Sequence, residues 1–109
     1  MEDDVSRERE HFWVIGLNAK NEVLYVELCS LGILTSSVVH PRETFRIAVL
    51  KGAASIIVAH NHPSGDIAPS RDDIAMTERL TQAGEILGIK FLDHVIIGNY
   101  EGYTSILKV

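Results

Sequence analysis

The stretch Ser55-Ile56-Ile57-Val58-Ala59-His60-Asn61-His62-Pro63-Ser64-Gly65-Asp66-Ile67-Ala68-Pro69-Ser70-Arg71-Asp72-Asp73 carries a strand, a loop and the start of a helix in immediate succession. Ser55 to Ala59 is short, apolar and β-branched, without polar alternation, which fits a central strand buried on both faces. Asn61 to Pro69 is polar and rich in turn-forming residues. Ser70 stands where a helix begins, with two acids in the turn that follows. A buried strand that runs through a loop into a helix is the unit from which α/β domains are built.

Upstream, His11 to Asn18 is a strongly apolar run with aromatic and β-branched residues and reads as a buried strand. Asn18 to Asn21 reads as a turn and Glu22 to Ser30 as a second strand, so the pair forms a hairpin. Gly32 breaks the chain before a third strand, Ile33 to Val39. Pro41 suits the first position of a helix, because its fixed φ is helical and its missing N–H is not needed there. Phe45, Ala48 and Val49 follow at helical spacing, and Gly52 stops the helix. Downstream of Ser70, Ile74, Thr77, Leu80, Gly84 and Leu87 share one helix face, and Gly88 ends it. Lys90 to Ile97 and Tyr103 to Leu107 close the chain as strands. The order βββ-α-β-α-ββ describes an α/β domain with a mixed sheet and flanking helices, spanning residues 10–109 behind a flexible acidic lead-in, 1–9.

Composition narrows the function classes. The chain has 109 residues, room for one core, with 46% hydrophobic and 23% charged residues, as in a folded globular domain. Its longest apolar run is far below the roughly 20 residues that cross a bilayer. The acidic Met1-Glu2-Asp3-Asp4 is unlike the basic start of a secretory signal, so a cytoplasmic protein without membrane contact is expected. Of the net charge of −5, residues 1–10 hold −3, and the basic residues are scattered singly. Direct nucleic-acid binding, which depends on clustered Lys and Arg, is not expected. Cys29 is the sole cysteine and lies in an apolar stretch, which suits a structural thiol. Any metal site must then be made of histidines and carboxylates.

His60 and His62 supply the first two candidates. If the strand from Ser55 continues through His62, both rings project from one face, because side chains alternate with period two. Catalytic zinc takes three protein ligands and keeps a fourth position open. Asp73, one turn into the next helix, can return a carboxylate to the same place. Asp73 also has a purely local explanation: Ser70-Arg71-Asp72-Asp73 resembles a capping box. An isolated His-x-His is weak evidence by itself.

The full pattern is His-x-His, seven residues, Ser, two residues, Asp, met without a gap by His60, His62, Ser70 and Asp73. It resembles the signature of the JAB/MPN (JAMM) metalloproteases. With His40-Pro41-Arg42-Glu43, Pro69-Ser70 and Asp93-His94-Val95-Ile96-Ile97-Gly98, the chain is similar to the RadC family, a bacterial branch of that superfamily, from about Glu10 to Ser105. The resemblance implies a cytidine-deaminase-like fold and one zinc ion per chain held by His60, His62 and Asp73. It also implies a glutamate as general base toward a zinc-activated water, with Ser70 helping to stabilise the oxyanion. RadC-like proteins usually carry an N-terminal helix-hairpin-helix region, so these residues would correspond to the catalytic half.

In the superfamily the base stands just ahead of the first strand, which favours Glu10. Glu43 and Glu27 are the alternatives; Glu43 also suits compensation of a helix dipole, and Glu27 lies mid-strand among apolar neighbours. The leading expectation is a hydrolase of peptide or isopeptide bonds. The alternative is a RadC-like binding or scaffold module associated with DNA-repair or replication proteins. A zinc deaminase is excluded, because its Pro-Cys-x-x-Cys ligand element cannot be assembled from one cysteine. His94 reads as a structural histidine paired with Asp93, His40 as a helix-entry residue and His11 as a surface or sheet-edge one. Asp66 reads as turn-forming, and Asn61 as a brace for the backbone.

Overall fold

The computed structural model describes residues 10–32, 39–62, 64–98 and 102–107. The elements run β1 (Glu10–Leu17), β2 (Val23–Gly32), α1 (Pro41–Lys51), β3 (Ser55–Asn61), α2 (Arg71–Leu87), β4 (Lys90–Ile97) and β5 (Tyr103–Ser105). They form a mixed five-stranded sheet of order β2-β1-β3-β4-β5 with two helices, an α/β fold. Only β3 and β4 are parallel; the other three pairings are antiparallel.

The β1–β2 hairpin closes through Asn18, whose Oδ1 accepts the N–H groups of Lys20 and Glu22 at 2.9 Å each. Asn21 takes a left-handed conformation, φ 63°, which asparagine tolerates better than most residues. β2 runs on through Gly32, which pairs with Glu10, so this glycine continues the strand where a break was expected. The expected third strand, Ile33 to Val39, falls mostly on residues outside those described, and Val39 itself lies buried in a bend before α1. The lead-in 1–9 is likewise outside them. β1 is an internal strand, so His11 is not at a sheet edge; its ring stacks on Trp13 at 5.2 Å.

One face of the sheet carries the core. Phe12 and Val14 of β1 pair with His60 and Val58 of β3, and Ile56 and Phe91 extend the row toward β4. α1 contributes Phe45 and Ala48, and α2 contributes Met76 and Leu80. α1 begins at His40 as N-cap with Pro41 following, and ends on Gly52 at φ 68°. In α2 the buried side is Asp73, Met76, Thr77, Leu80 and Gly84, whereas Ile74 and Leu87 are exposed. The expected face was therefore rotated: Asp73 belongs to the inward side, and a carboxylate does not register as an inward residue in an apolar pattern. β5 stops at Ser105, two residues short of expectation, and the chain then bends.

Gly84 is required by packing. A Cβ there would lie 2.4 Å from the backbone carbonyl oxygen of Ile89, which cannot rotate away. Gly84→Ala is expected to cost about 1–3 kcal/mol despite alanine's better helix propensity. Urea unfolding should show a lower midpoint with an unchanged slope.

Candidate metal centre

His60 ends the inward row of β3 and is buried, 2% exposed. β3 stops at Asn61, so His62 lies one residue beyond the strand where continuation was expected. Both imidazoles nevertheless reach Asp73. His60 Nε2 is 3.0 Å from Asp73 Oδ1, and His62 Nε2 is 3.0 Å from Asp73 Oδ2. The two ring centroids are 5.0 Å apart. Asn61, pointing the other way, accepts the His11 N–H on its Oδ1 at 2.6 Å and braces the sheet as expected.

The capping box and the histidine contacts turn out to be one arrangement. Ser70 Oγ accepts the Asp73 N–H at 3.1 Å, and Asp73 Oδ2 accepts the Ser70 N–H at 2.7 Å. Capping turns the Asp73 side chain back toward the start of α2, and that start lies over the end of β3. The local reading of Asp73 and the ligand reading are therefore not rivals.

Each histidine is held by its far nitrogen. His62 Nδ1 lies 2.7 Å from the Asp66 carbonyl oxygen. Asp66 is turn-forming as expected: its Oδ1 accepts the Ala68 N–H, and its own N–H donates to Ser64 Oγ. Thr104 ties the same loop to β5 by donating to the Ile67 carbonyl at 2.6 Å. His60 Nδ1 lies 2.8 Å from His94 Nε2, and His94 Nδ1 lies 2.8 Å from Thr77 Oγ1. The Thr77 hydroxyl donates to the Asp73 carbonyl at 2.9 Å. The His94 ring is thus not paired with Asp93. That carboxylate accepts the His94 backbone N–H at 2.8 Å, the Leu107 N–H at 3.0 Å and the Ser105 hydroxyl. Spacing gave no sign of His94, which comes from a strand far along the chain. Thr77 stood one helical turn after Asp73, which was a usable signal.

Burial pushes the Asp73 carboxyl up, but hydrogen bonds from His60 and Ser70 outweigh it and hold it well below the usual carboxylate range. Asp73 is an anion across the physiological range. Burial, reinforced by neighbouring His60, pushes His94 down to about 4. Its ring is neutral at pH 7. A base whose folded value is depressed from 6.5 to about 4 gives stability that is complete above 6.5 and lost on acidification toward 4. That loss is at most about 3 kcal/mol. In metal-stripped protein, thermal unfolding between pH 7.5 and 4 should show it, and His94→Gln should flatten the profile.

Glu10 opens β1 on the face shared with Phe12 and Val14, and is half-buried. Phe12 pairs with His60, the last β3 residue in the β1–β3 register, and Glu10 stands two residues further along β1. The other two glutamates lie beside arginines. Glu27 lies 3.8 Å from Arg46 and accepts the Cys29 thiol, while exposed Glu43 lies beside Arg42 and Arg46. Burial, with Glu27 beside it, pushes Cys29 up to about 12, as suits the structural thiol expected.

His60, Asp73 and His94 each offer a ligand atom, all within 4.8 Å of one another, so a His/His/Asp cluster able to hold a metal ion stands at the end of β3. A RadC-like JAB domain model matches residues 1–108. The chain belongs to that family. The JAB/MPN superfamily is often hydrolytic, and the fold described here is consistent with it. Among RadC-family relatives, a UPF0758 protein of Desulforamulus reducens is 57% identical over 106 residues, covering 97% of this chain and 46% of that protein. A UPF0758 protein of Desulforudis audaxviator is 59% identical over 99 residues, covering 91% and 43%. One from Methanococcoides burtonii is 50% identical over 104 residues, covering 89% and 45%. The chain spans less than half the length of these relatives, and their names assign no activity. No helix among the described residues is long and apolar enough to cross a membrane.

Proposed function

We propose that this RadC-like domain is a zinc-dependent hydrolase of peptide or isopeptide bonds, with the ion held by His60, His62 and Asp73. One observation carries the reading: two imidazole Nε2 atoms each lie 3.0 Å from a different oxygen of one buried carboxylate. The Asp66 carbonyl can only accept, so His62 Nδ1 carries the hydrogen and Nε2 of the neutral ring is a lone pair. A lone pair aimed at a carboxylate is repulsive unless a proton or a metal cation lies between them. This donor set therefore fits a divalent ion that takes nitrogen and oxygen ligands, as zinc does. His94 is close in distance, but it meets His60 through that ring's far nitrogen. An ion in front of His60 Nε2 would therefore take His62, whose Nε2 faces the same carboxylate, as its second imidazole.

Zinc would supply Lewis acidity and a water acidified from its bulk value to about 7. The chain's own residues do the rest. Glu10, two residues before the β1 partner of His60, takes the proton of the attacking water and returns it to the leaving amine. Ser70 Oγ already accepts the Asp73 N–H, which leaves its hydroxyl hydrogen as a donor toward the substrate oxygen as negative charge develops there.

Elemental analysis of protein purified without added metal should give one zinc per chain. His62→Ala, at a partly buried position outside the core, should lose the ion while circular dichroism stays unchanged. A metal-free wild type that takes up no added zinc would refute the reading.

A further inference from the structure

We infer that Thr77 and His94 are positioning residues for this centre, forming a hydrogen-bond relay that fixes His60 with its hydrogen on Nδ1 and Nε2 bare. The inference rests on the metal-site reading above and extends it to two residues outside the ligand motif. Its direction is set at the helix. The Asp73 carbonyl can only accept, and Thr77 has one hydroxyl hydrogen, which goes to that carbonyl at 2.9 Å. Thr77 Oγ1 must then accept from His94 Nδ1, 2.8 Å away. In an uncharged His94 ring Nε2 is left as a lone pair, and it lies 2.8 Å from His60 Nδ1. His60 Nδ1 must donate. In a neutral His60 the lone pair that remains is Nε2, facing Asp73 Oδ1. A bound cation would there replace the hydrogen that a charged ring donates to the carboxylate.

Reversing a junction between the Asp73 carbonyl and His60 Nδ1 sets two lone pairs, or two hydrogens, against each other at hydrogen-bond distance. The one lone pair the relay leaves facing an acceptor is His60 Nε2 at Asp73 Oδ1, the place a cation would fill. All members are buried, with His60 2%, Thr77 4% and His94 0% exposed, so water cannot repair a mismatch. The relay begins at the Asp73 carbonyl and ends at the Asp73 carboxylate, locking α2, β4 and β3 into one ring. His62 needs no such device, because the loop carbonyl of Asp66 does the same service directly. His60 lies within β3, which is paired on both sides, and borrows its acceptor from the next strand.

Two substitutions at Thr77 separate this role from packing. Thr77→Val keeps the shape and removes the hydroxyl; Thr77→Ser keeps the hydroxyl and removes a methyl. A packing role makes Ser the worse of the two, whereas the relay makes Val the worse. Zinc competition against a chromophoric chelator should show Thr77→Val weakened roughly 10–100-fold and Thr77→Ser close to wild type. Nitrogen-15 NMR of the metal-free proteins at alkaline pH should place the His60 hydrogen on Nδ1 in wild type and Thr77→Ser. In Thr77→Val it should redistribute toward Nε2. Unchanged zinc affinity in Thr77→Val, or a wild-type His60 with its hydrogen on Nε2, would overturn the relay. If wild type took up no zinc, the metal-centre reading would fail, and the NMR comparison would still decide the relay.

Discussion

Asp73→Ala is expected to abolish zinc retention and also to lower the stability of the metal-free protein, and Asp73→Asn should separate these two losses. The carboxylate does three things at once. Oδ2 caps α2 through the Ser70 N–H and faces His62, while Oδ1 faces His60. Alanine removes all of these. The lost cap costs about 1 kcal/mol, visible as a lower unfolding midpoint in chelator. Asparagine keeps an oxygen for the Ser70 N–H but carries no charge, so its metal-free stability should stay near wild type. Both should weaken zinc by about three orders of magnitude, if the 10–16 kcal/mol of a formed zinc site is shared among its ligands. Isothermal titration of the three proteins would read the affinities directly. An Asp73→Asn variant that holds zinc as tightly as wild type would remove Asp73 from the ligand set.

The physics of the site explains which parts could be read in advance. β4 was legible to its end residues, because Gly88 before it and Gly98 after it bracket a run that is apolar but for Lys90, Asp93 and His94. The helix caps at Ser70, Gly52 and Gly88 were legible because each depends on a local conformation that few residue types satisfy. The inward face of α2 was read correctly at Thr77, Leu80 and Gly84 and misplaced at its start, because Asp73 is polar and buried for the sake of the site. An apolar pattern omits such residues where function puts them. His60, His62 and Asp73 were found through fixed spacing across one strand–loop–helix unit. His94 could not be, since its neighbour in space, His60, is 34 residues away in sequence and depends on the parallel β3–β4 pairing. The Asp66 carbonyl was invisible for another reason: every residue has one, and only the loop's path aims it at His62.

Glu10→Gln should leave one zinc per chain in place and reduce turnover by roughly 10²–10⁴-fold, the usual contribution of a positioned proton carrier. Glutamine matches the side chain in size and hydrogen-bonding reach, and it stands on β1, outside the proposed ligand set, so neither fold nor affinity should change. What it cannot do is accept a proton and return it. Glu43→Gln and Glu27→Gln serve as controls, because both carboxylates lie beside Arg46 on α1. Cleavage of a peptide and isopeptide library, followed by mass spectrometry, would read all four proteins. A full rate in Glu10→Gln with a lost rate in either control would move the base to that residue. Zinc bound at full occupancy, with no cleavage of any library member by wild type, would instead favour a domain that keeps its metal and acts by binding. The choice between those outcomes turns on one carboxylate, because the ligands, the cap and the relay serve to hold a cation, and only a group able to cycle a proton turns that cation into a catalyst.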